Sequence, residues 1–184
     1  MLEEQIIKVV QPHIERCRPG DWEHAKRVVS WIKKLGEGRD DLVLLITAGY
    51  IHDIGWRDLV GKEEMTLKKL FELELQANQN SEPYVMDILR YLNLGKAETQ
   101  TLLRLVSAAD KHRSTLEDEE IIVDADQLSK LDINHLKEKF QKSEWLEMCE
   151  KWENKIGNRV KTEKAKFLYP KLLASLKKSI RELE

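Results

Sequence analysis

Apolar side chains recur every three to four residues along most of the chain, and this spacing is typical of one face of an α-helix. The pattern predicts a first helix that ends at Pro19-Gly20 and a second that runs from Asp21 to Gly36. A third helix is expected to begin at Asp40 or Asp41 and to include the segment LVLLITAGYIHDI. That segment is apolar almost all round, so its helix should lie at the centre of the fold.

The same spacing predicts helices throughout the second half of the chain. They are expected over residues 64–77, from Ser81 to Gly95, over 97–110 and 124–132, from Asn134 through Ile156, and from about 160 onward with a kink at Pro170. IIVDAD is the only short stretch that resembles a strand, and no repeat or Gly-, Pro- or Ser-rich linker interrupts the chain. Residues 1–184 are therefore predicted to form a single all-α domain, a helical bundle.

Composition and charge restrict the classes of partner. The chain has 184 residues, enough to bury a core without disulfides, and 35% of them are charged, with a net charge of -2. Because the two signs are nearly balanced, neither a nucleic-acid polymer nor a membrane is an expected partner. Cys17 and Cys149 lack the short spacing of a metal motif and suit a reducing compartment. With no secretory signal and no apolar stretch of about 20 residues, the protein is expected to be cytoplasmic.

Polar residues that can bind a metal interrupt the apolar pattern in three places. They are His24 in DWEHAKRVV, the pair His52-Asp53 in AGYIHDIGW, and Asp124 and Asp126 in IIVDADQLSKL. Each is a weak signal alone, because a single histidine on an apolar face is usually a core or surface residue. An aspartate before a helix is usually an N-cap, which suits Asp124 better than Asp126.

Taken together, these residues favour a metal site. Burying several carboxylates and imidazoles without a cation is unfavourable by several kcal/mol for each unpaired charge. One divalent metal ion removes that penalty. A mixed set of nitrogen and oxygen ligands suits Mn²⁺, Fe²⁺, Co²⁺, Ni²⁺ or Zn²⁺, whereas Mg²⁺ prefers oxygen ligands alone.

The order H…HD…D resembles the HD-domain superfamily of metal-dependent phosphohydrolases. EHAKRVV is similar to the family's H-x-x-R-V segment, AGYIHDIG to its A-x-x-H-D-I-G segment and DADQL to its D-A-D-x-L segment. The resemblance spans residues 20–135, and helices over 134–184 are expected to pack on that core. It implies that the metal ligands are His24, His52, Asp53 and Asp126, with Asp124 as an alternative ligand or a hydrogen-bonding neighbour of the ligands.

The resemblance also implies an activity. A metal-activated water would attack the phosphorus of a small phosphate ester, such as a nucleotide, with Asp53 as the catalytic residue that directs it. Cationic side chains would hold the remaining phosphate oxygens. Arg27 is the first candidate because it lies on nearly the same helical face as His24. Further candidates are Lys111, His112 and Arg113 in the loop before the last ligand, and Arg57 and Lys62 at the rim.

Several alternatives stay open at this point. A non-catalytic HD module that binds a nucleotide or a protein partner, and that uses the metal only structurally, would have the same ligands. The text HDIGWRD lacks the acids that better-known relatives place after the HD pair, so the substrate is not specified. Trp145 and Trp152 suit core or interface packing, and a homodimer is one option. A wall that stacks on a base is the alternative, for which Trp22 and Trp56 lie closer to the proposed ligands.

Overall fold

A computed structural model describes residues 3–61 and 66–183, and within these ranges the chain is all-α, without a strand. The described part contains α1 (Glu3–Ile14), α2 (Asp21–Leu35), α3 (Leu42–Ile51), α4 (Leu67–Leu92), α5 (Lys96–Lys111), α6 (Glu117–Ser129), α7 (Ile133–Lys139), α8 (Trp145–Arg159) and α9 (Glu163–Leu183). Short 3₁₀ helices cover Ile54–Trp56 and Lys142–Glu144. The predicted all-α fold is confirmed, and IIVDAD is helical.

The helix expected to begin at Ser81 does not exist as a separate element. Instead, α4 runs without interruption through Ser81 and Pro83. The Ser81 hydroxyl donates to the Ala77 carbonyl 3.3 Å away, one turn back in the same helix, rather than capping a new one. Pro83 removes only one backbone donor, while buried apolar side chains on both sides of it hold α4 against the core. The first two residues of the helix expected over 64–77, and Lys62, lie outside the described residues.

Two other helix boundaries differ from the prediction. The helix expected to run from Asn134 through Ile156 is divided into α7 and α8, because the backbone at Phe140 is extended. The indole Nε1 of Trp145 donates to the Phe140 carbonyl, 3.1 Å away, and so satisfies a carbonyl at this break. The helix expected over 124–132 begins earlier, at Glu117. The Glu119 carboxylate accepts from the backbone N–H groups of Thr115 and Leu116 and stabilises this earlier start.

Asp124 is therefore inside α6 rather than at its N-cap. Its carboxylate is fully buried and accepts three hydrogen bonds, from the Lys161 N–H at 2.9 Å and from the N–H and hydroxyl of Thr162 at 2.7 Å each. Thr162 directly precedes α9, and its hydroxyl also accepts from the Ala165 N–H at 3.3 Å. Asp124 thus fixes the start of α9 to the middle of α6.

We expect Asp124→Ala to lower the free energy of unfolding by about 2–4 kcal/mol, because two backbone donors and a hydroxyl lose their buried acceptor. Urea denaturation measures the loss. The half-buried Asp132, whose carboxylate accepts from the Asn134 N–H at the start of its own helix, provides a matched control, and Asp132→Ala should lower the free energy of unfolding by about 1 kcal/mol. If Asp124→Ala removed bound metal without lowering stability, this structural role would be wrong.

The core consists of two hydrophobic clusters. The first cluster is built by α1 to α5 and the first half of α6, and the second is built by α7 to α9 and the second half of α6. Accordingly, Ile122 of α6 belongs to the first cluster and Leu128 to the second. The helix α3 is buried from Leu45 to Ile51, as its apolar composition predicts. Among the described helices none is long and apolar enough to cross a membrane.

Candidate metal centre

Two buried histidines meet where α2 packs against α3. His24 lies on α2, and His52 follows directly after α3. The exposed fraction of each histidine is 3% or less, and their Nε2 atoms are 3.1 Å apart. The apolar faces of the two helices determine this approach, because Val28 and Ile51 bury in the same cluster.

Hydrogen bonds on the far side of each ring fix where the protons lie. His52 Nδ1 is 2.9 Å from the Gly49 carbonyl, which can only accept, so Nδ1 carries the proton and Nε2 presents a lone pair. His24 Nδ1 is 3.2 Å from the Ser129 hydroxyl, which itself donates to the Asp126 carbonyl at 2.8 Å. That hydroxyl therefore accepts from His24 Nδ1. Both Nε2 lone pairs then face the same point, an arrangement that is typical of metal-binding histidines.

Asp126 completes a group of three side chains. Its Oδ1 is 3.3 Å from His24 Nε2 and 3.7 Å from His52 Nε2. Its Oδ2 points away and accepts from Lys130 Nζ at 2.6 Å and Gln127 Nε2 at 2.9 Å. Burial raises the pKa of Asp126, but Lys130 and the histidines outweigh it and hold the pKa well below its usual range. The carboxylate is thus charged, with one oxygen free for a cation.

Asp53 lies beside this group with a different set of neighbours. Its Oδ2 is 3.6 Å from Nε2 of both His24 and His52, 2.6 Å from Arg18 Nη2 and 3.9 Å from Lys139 Nζ. This buried oxygen accepts no hydrogen bond from any described residue. Burial raises the pKa of Asp53, but the interactions with Arg18 and the two histidines lower it by more. The pKa therefore lies below its usual value.

The donor atoms have the spacing that a metal ion requires. His24, His52 and Asp126 each offer one atom, and these atoms lie within 4.8 Å of one another. Ligand atoms about 2.1 Å from a shared ion are about 3.0–3.4 Å apart in octahedral or tetrahedral geometry. The observed 3.1, 3.3 and 3.7 Å are close to those values. The group can therefore hold a metal ion, and Asp53 Oδ2, which pairs with Arg18 but accepts no hydrogen bond from a described residue, adjoins it.

A third buried histidine, His135 of α7, packs edge-on against His24 with ring centroids 4.7 Å apart. Its Nδ1 is buried and has no hydrogen-bond partner among the described residues. Burial lowers the pKa of His24 to about 4 and that of His135 well below its ordinary 6.5. Both rings are therefore neutral near pH 7, which is the form that binds metals.

These lowered pKa values predict how the stability of the metal-free protein depends on pH. Between the ordinary pKa of 6.5 and the lowered values, unfolded chains bind more protons than folded ones, so the free energy of unfolding falls as the pH is lowered. We expect His135→Phe to reduce this fall between pH 7 and 4.5 by about 1 kcal/mol or more. Urea denaturation of the chelator-treated protein at both pH values checks it. An equal fall in the parent and the variant would contradict the assignment.

The cluster forms one end of a cavity of about 190 Å³ that lies between the two hydrophobic clusters. Its lining combines aromatic and basic side chains, including Trp56, Phe71, Phe140, Trp152, Arg18, Lys130, Lys139, Lys151, Lys155 and Arg159. The acidic lining residues besides the candidate ligands are Glu74 and Asp110. Burial raises the pKa of Asp110 to about 8, so this carboxyl group holds a proton at neutral pH.

Of the residues predicted to bind phosphate in the first place, some line the cavity and others do not. His112 lines the cavity, and its Nδ1 is 3.5 Å from Asp126 Oδ2. Arg27 does not line it, since both terminal nitrogens of its guanidinium are paired with Glu138 at 3.1 and 2.7 Å. Lys111 and Arg113 are exposed and lie outside its lining.

Other candidates have partners elsewhere. Arg57 lies over the Tyr84 ring at 3.9 Å and is not at the rim of the cavity. Trp22 stacks on Tyr50 at 5.4 Å, while Trp56 and Trp152 line the cavity. Trp152 is also buried against His135, so it combines core packing with a position in the site.

Sequence reasoning missed several cations that surround the centre. Arg18 binds both oxygens of Asp21 and pairs with Asp53, and Lys139 is buried between the same two aspartates. No periodic signal marks either residue, because Arg and Lys are usually exposed. Lys130 had a usable signal, since it lies four residues after Asp126 and therefore on the same helical face.

Comparisons of the chain with protein-family models, with curated proteins and with solved structures returned no match. The helical architecture with its His/Asp cluster is loosely compatible with an HD-type domain. The case for an activity therefore depends on the geometry of the site.

Proposed function

We propose that this protein is a metal-dependent phosphohydrolase that acts on a small phosphate ester, such as a nucleotide. The observation that carries the proposal is the group formed by His24, His52 and Asp126 at the end of a cavity lined with cationic side chains. A buried site with imidazole nitrogens, a charged carboxylate and an adjoining Asp53 Oδ2 that accepts no hydrogen bond favours a divalent cation. The resemblance to the HD-domain superfamily supports the same activity.

Asp53 is the proposed catalytic residue. When bound, a divalent cation polarises a phosphoryl oxygen and brings the pKa of water close to neutrality. The Oδ2 atom of Asp53 accepts no hydrogen bond from a described residue, so it is available to accept one from the attacking water and to orient it. Arg18, 2.6 Å away, keeps this carboxylate charged.

The remaining cavity residues have roles in binding and proton transfer. Lys130 lies on the cavity wall beside Asp126 and would attract phosphate oxygens, in place of the Arg27 that the sequence favoured. Asp110, which holds a proton at neutral pH, supplies a donor for the leaving oxygen. Phe140 and Trp152 exclude water on the opposite side.

The test measures metal content and turnover in the same samples. Protein purified without chelator should carry about one divalent ion per chain and release phosphate from at least one ester of a panel that includes nucleoside monophosphates. Chelation should abolish turnover, and Mn²⁺, Fe²⁺, Co²⁺, Ni²⁺ or Zn²⁺ should restore it. His52→Ala should lose both metal and turnover. His13→Ala is the matched control, because His13 lies outside the cavity lining beside Arg57.

Two outcomes would count against an enzyme. A protein that stays metal-free and inactive with every added ion would overturn the proposal. Bound metal that raises the melting temperature, without turnover of any ester, would favour the non-catalytic module with a structural metal. Such a result would assign the cluster to stability rather than to catalysis.

A further inference from the structure

One wall of the cavity is formed by α8, which lies beyond the segment 20–135 that carries the family resemblance. Lys151, Lys155 and Arg159 are spaced four residues apart, so they form a single stripe along this helix, and all three line the cavity. Eight residues of α-helix extend about 12 Å. We call these three residues the α8 stripe.

The two ends of the α8 stripe face different parts of the cavity. Arg159 Nη1 donates to Gln127 Oε1 at 3.4 Å, and Gln127 Nε2 donates to Asp126 Oδ2 at 2.9 Å. Arg159 is thus connected to the candidate ligand Asp126 through one intervening side chain, that of Gln127. At the other end, the ammonium groups of Lys151 and Lys155 lie 4.8 and 5.8 Å from the centroid of Phe71, a half-exposed side chain of α4. The stripe therefore leads from the metal centre to the aromatic wall on α4.

The charges of the stripe are only partly neutralised by the protein. Lys151 pairs with Glu147 at 2.7 Å, but neither Lys155 nor Arg159 forms an ion pair with a described residue. Burial lowers the pKa of Arg159, so an anion beside it would stabilise its charged form. Across the whole lining, six Lys and Arg side chains face four Asp and Glu side chains, in a chain whose net charge is -2. Arg18, Lys130, Lys139 and Lys151 each pair with a carboxylate of a described residue, so the positive charge of the lining that is left without an ion pair lies on Lys155 and Arg159.

One residue of the lining carries a buried polar atom without a hydrogen-bond partner. His135 lines the cavity between the metal centre and Trp152, and its exposed fraction is 4%. The Nδ1 atom has no hydrogen-bond partner among the described side chains. An unpaired buried nitrogen is unfavourable by about 1–3 kcal/mol, and a polar ligand in the cavity would satisfy it.

We infer that the α8 stripe is a second anion-binding subsite, and that the substrate is a phosphate ester with a second phosphate group beyond the one held at the metal centre. The inference rests on the proposed function for the position of the first phosphate. The second phosphate contacts Arg159 and Lys155, and the part of the substrate between the two phosphates lies against Trp152. The subsite therefore selects substrates by the separation of their phosphates.

Calorimetric titration of the metal-loaded protein with three simple probes tests the inference. Propyl phosphate carries one anionic group, whereas propanediol bisphosphate and hexanediol bisphosphate carry two at different separations. We expect the better bisphosphate to bind at least about tenfold more tightly than propyl phosphate. This advantage should shrink at high salt, because the contacts are ionic and partly exposed.

Matched variants locate the subsite. Lys155→Gln and Arg159→Gln should each weaken the bisphosphate about tenfold and change propyl phosphate less than about twofold. Lys171→Gln removes the same charge from an exposed position on α9, outside the cavity lining, and should change neither. Lys155 is exposed, so its replacement should leave the fold intact, which circular dichroism verifies.

The outcomes separate this inference from the proposed function. Bisphosphates that bind no better than propyl phosphate, or an equal loss in Lys171→Gln, would overturn the second subsite even if esters are hydrolysed. Bisphosphate binding that depends on Lys155 and Arg159, with no turnover under any metal, would support the subsite and count against the enzyme.

Discussion

Asp53→Asn is expected to lower the turnover of the best phosphate ester by about 10²–10⁴-fold. The substitution preserves the shape of the side chain but removes the charge and the acceptor strength that would orient the attacking water. The group of His24, His52 and Asp126 could hold a metal ion without Asp53, so we expect the variant to retain bound metal. The measurement is initial-rate kinetics together with the metal content of the same protein.

Asp58→Asn is the matched control for this substitution. Asp58 lies five residues later, and its half-exposed carboxylate pairs with Arg16 outside the cavity lining. Its backbone has a φ of 60°, a conformation that asparagine accepts readily. The control should therefore retain turnover. Unchanged turnover in Asp53→Asn would show that Asp53 is not a catalytic residue.

Gly55→Ala is expected to destabilise the protein by about 3 kcal/mol or more. A Cβ atom at position 55 would be 2.1 Å from the carbonyl oxygen and 2.9 Å from the carbonyl carbon of Ala77, both in the backbone of α4. Neither atom can move without separating the 3₁₀ turn Ile54–Trp56 from α4. Because Asp53 directly precedes this turn, the variant should also displace the carboxylate that we propose to be catalytic. Urea denaturation gives the loss of stability.

Gly61→Ala makes the same chemical change in open space, with no atom of the described structure within 4 Å of the added Cβ. It should change the free energy of unfolding by less than about 0.5 kcal/mol. If the two variants were equally stable, close contact between the turn and α4 would not be the reason for glycine at position 55.

Periodicity predicted the fold class and the polar residues at the centre of the site, since both depend on burial. Apolar residues at helical spacing mark buried faces, and His24, His52 and Asp126 are conspicuous because they interrupt those faces. The same reasoning could not decide whether a helix continues. The chain passes through Pro83 as a helix, held by buried side chains on both sides, and breaks at Phe140, where the Trp145 indole satisfies the carbonyl.

The partners of charged residues were also beyond prediction from local pattern. Arg27 has the spacing of a phosphate-binding residue, yet it pairs with Glu138, which is 111 positions away in the chain. Arg18 and Lys139 lie in the site although long cationic side chains are usually at the surface. Glu138 and Lys139 reach their partners because α7 packs against α2, which is far away in the chain.

The position of the cavity between two hydrophobic clusters also determines when the site can assemble during synthesis. His24, His52 and Asp53 leave the ribosome early, and the first cluster can bury around them while α7 and α8 are still being made. Contacts such as that between His24 and Ser129, 105 residues apart, form late because a long loop must close first. A nascent chain with a folded first cluster therefore still lacks the part of the cavity wall that α7 and α8 supply. The cavity, and with it selectivity for a ligand, is acquired only when the last helices dock.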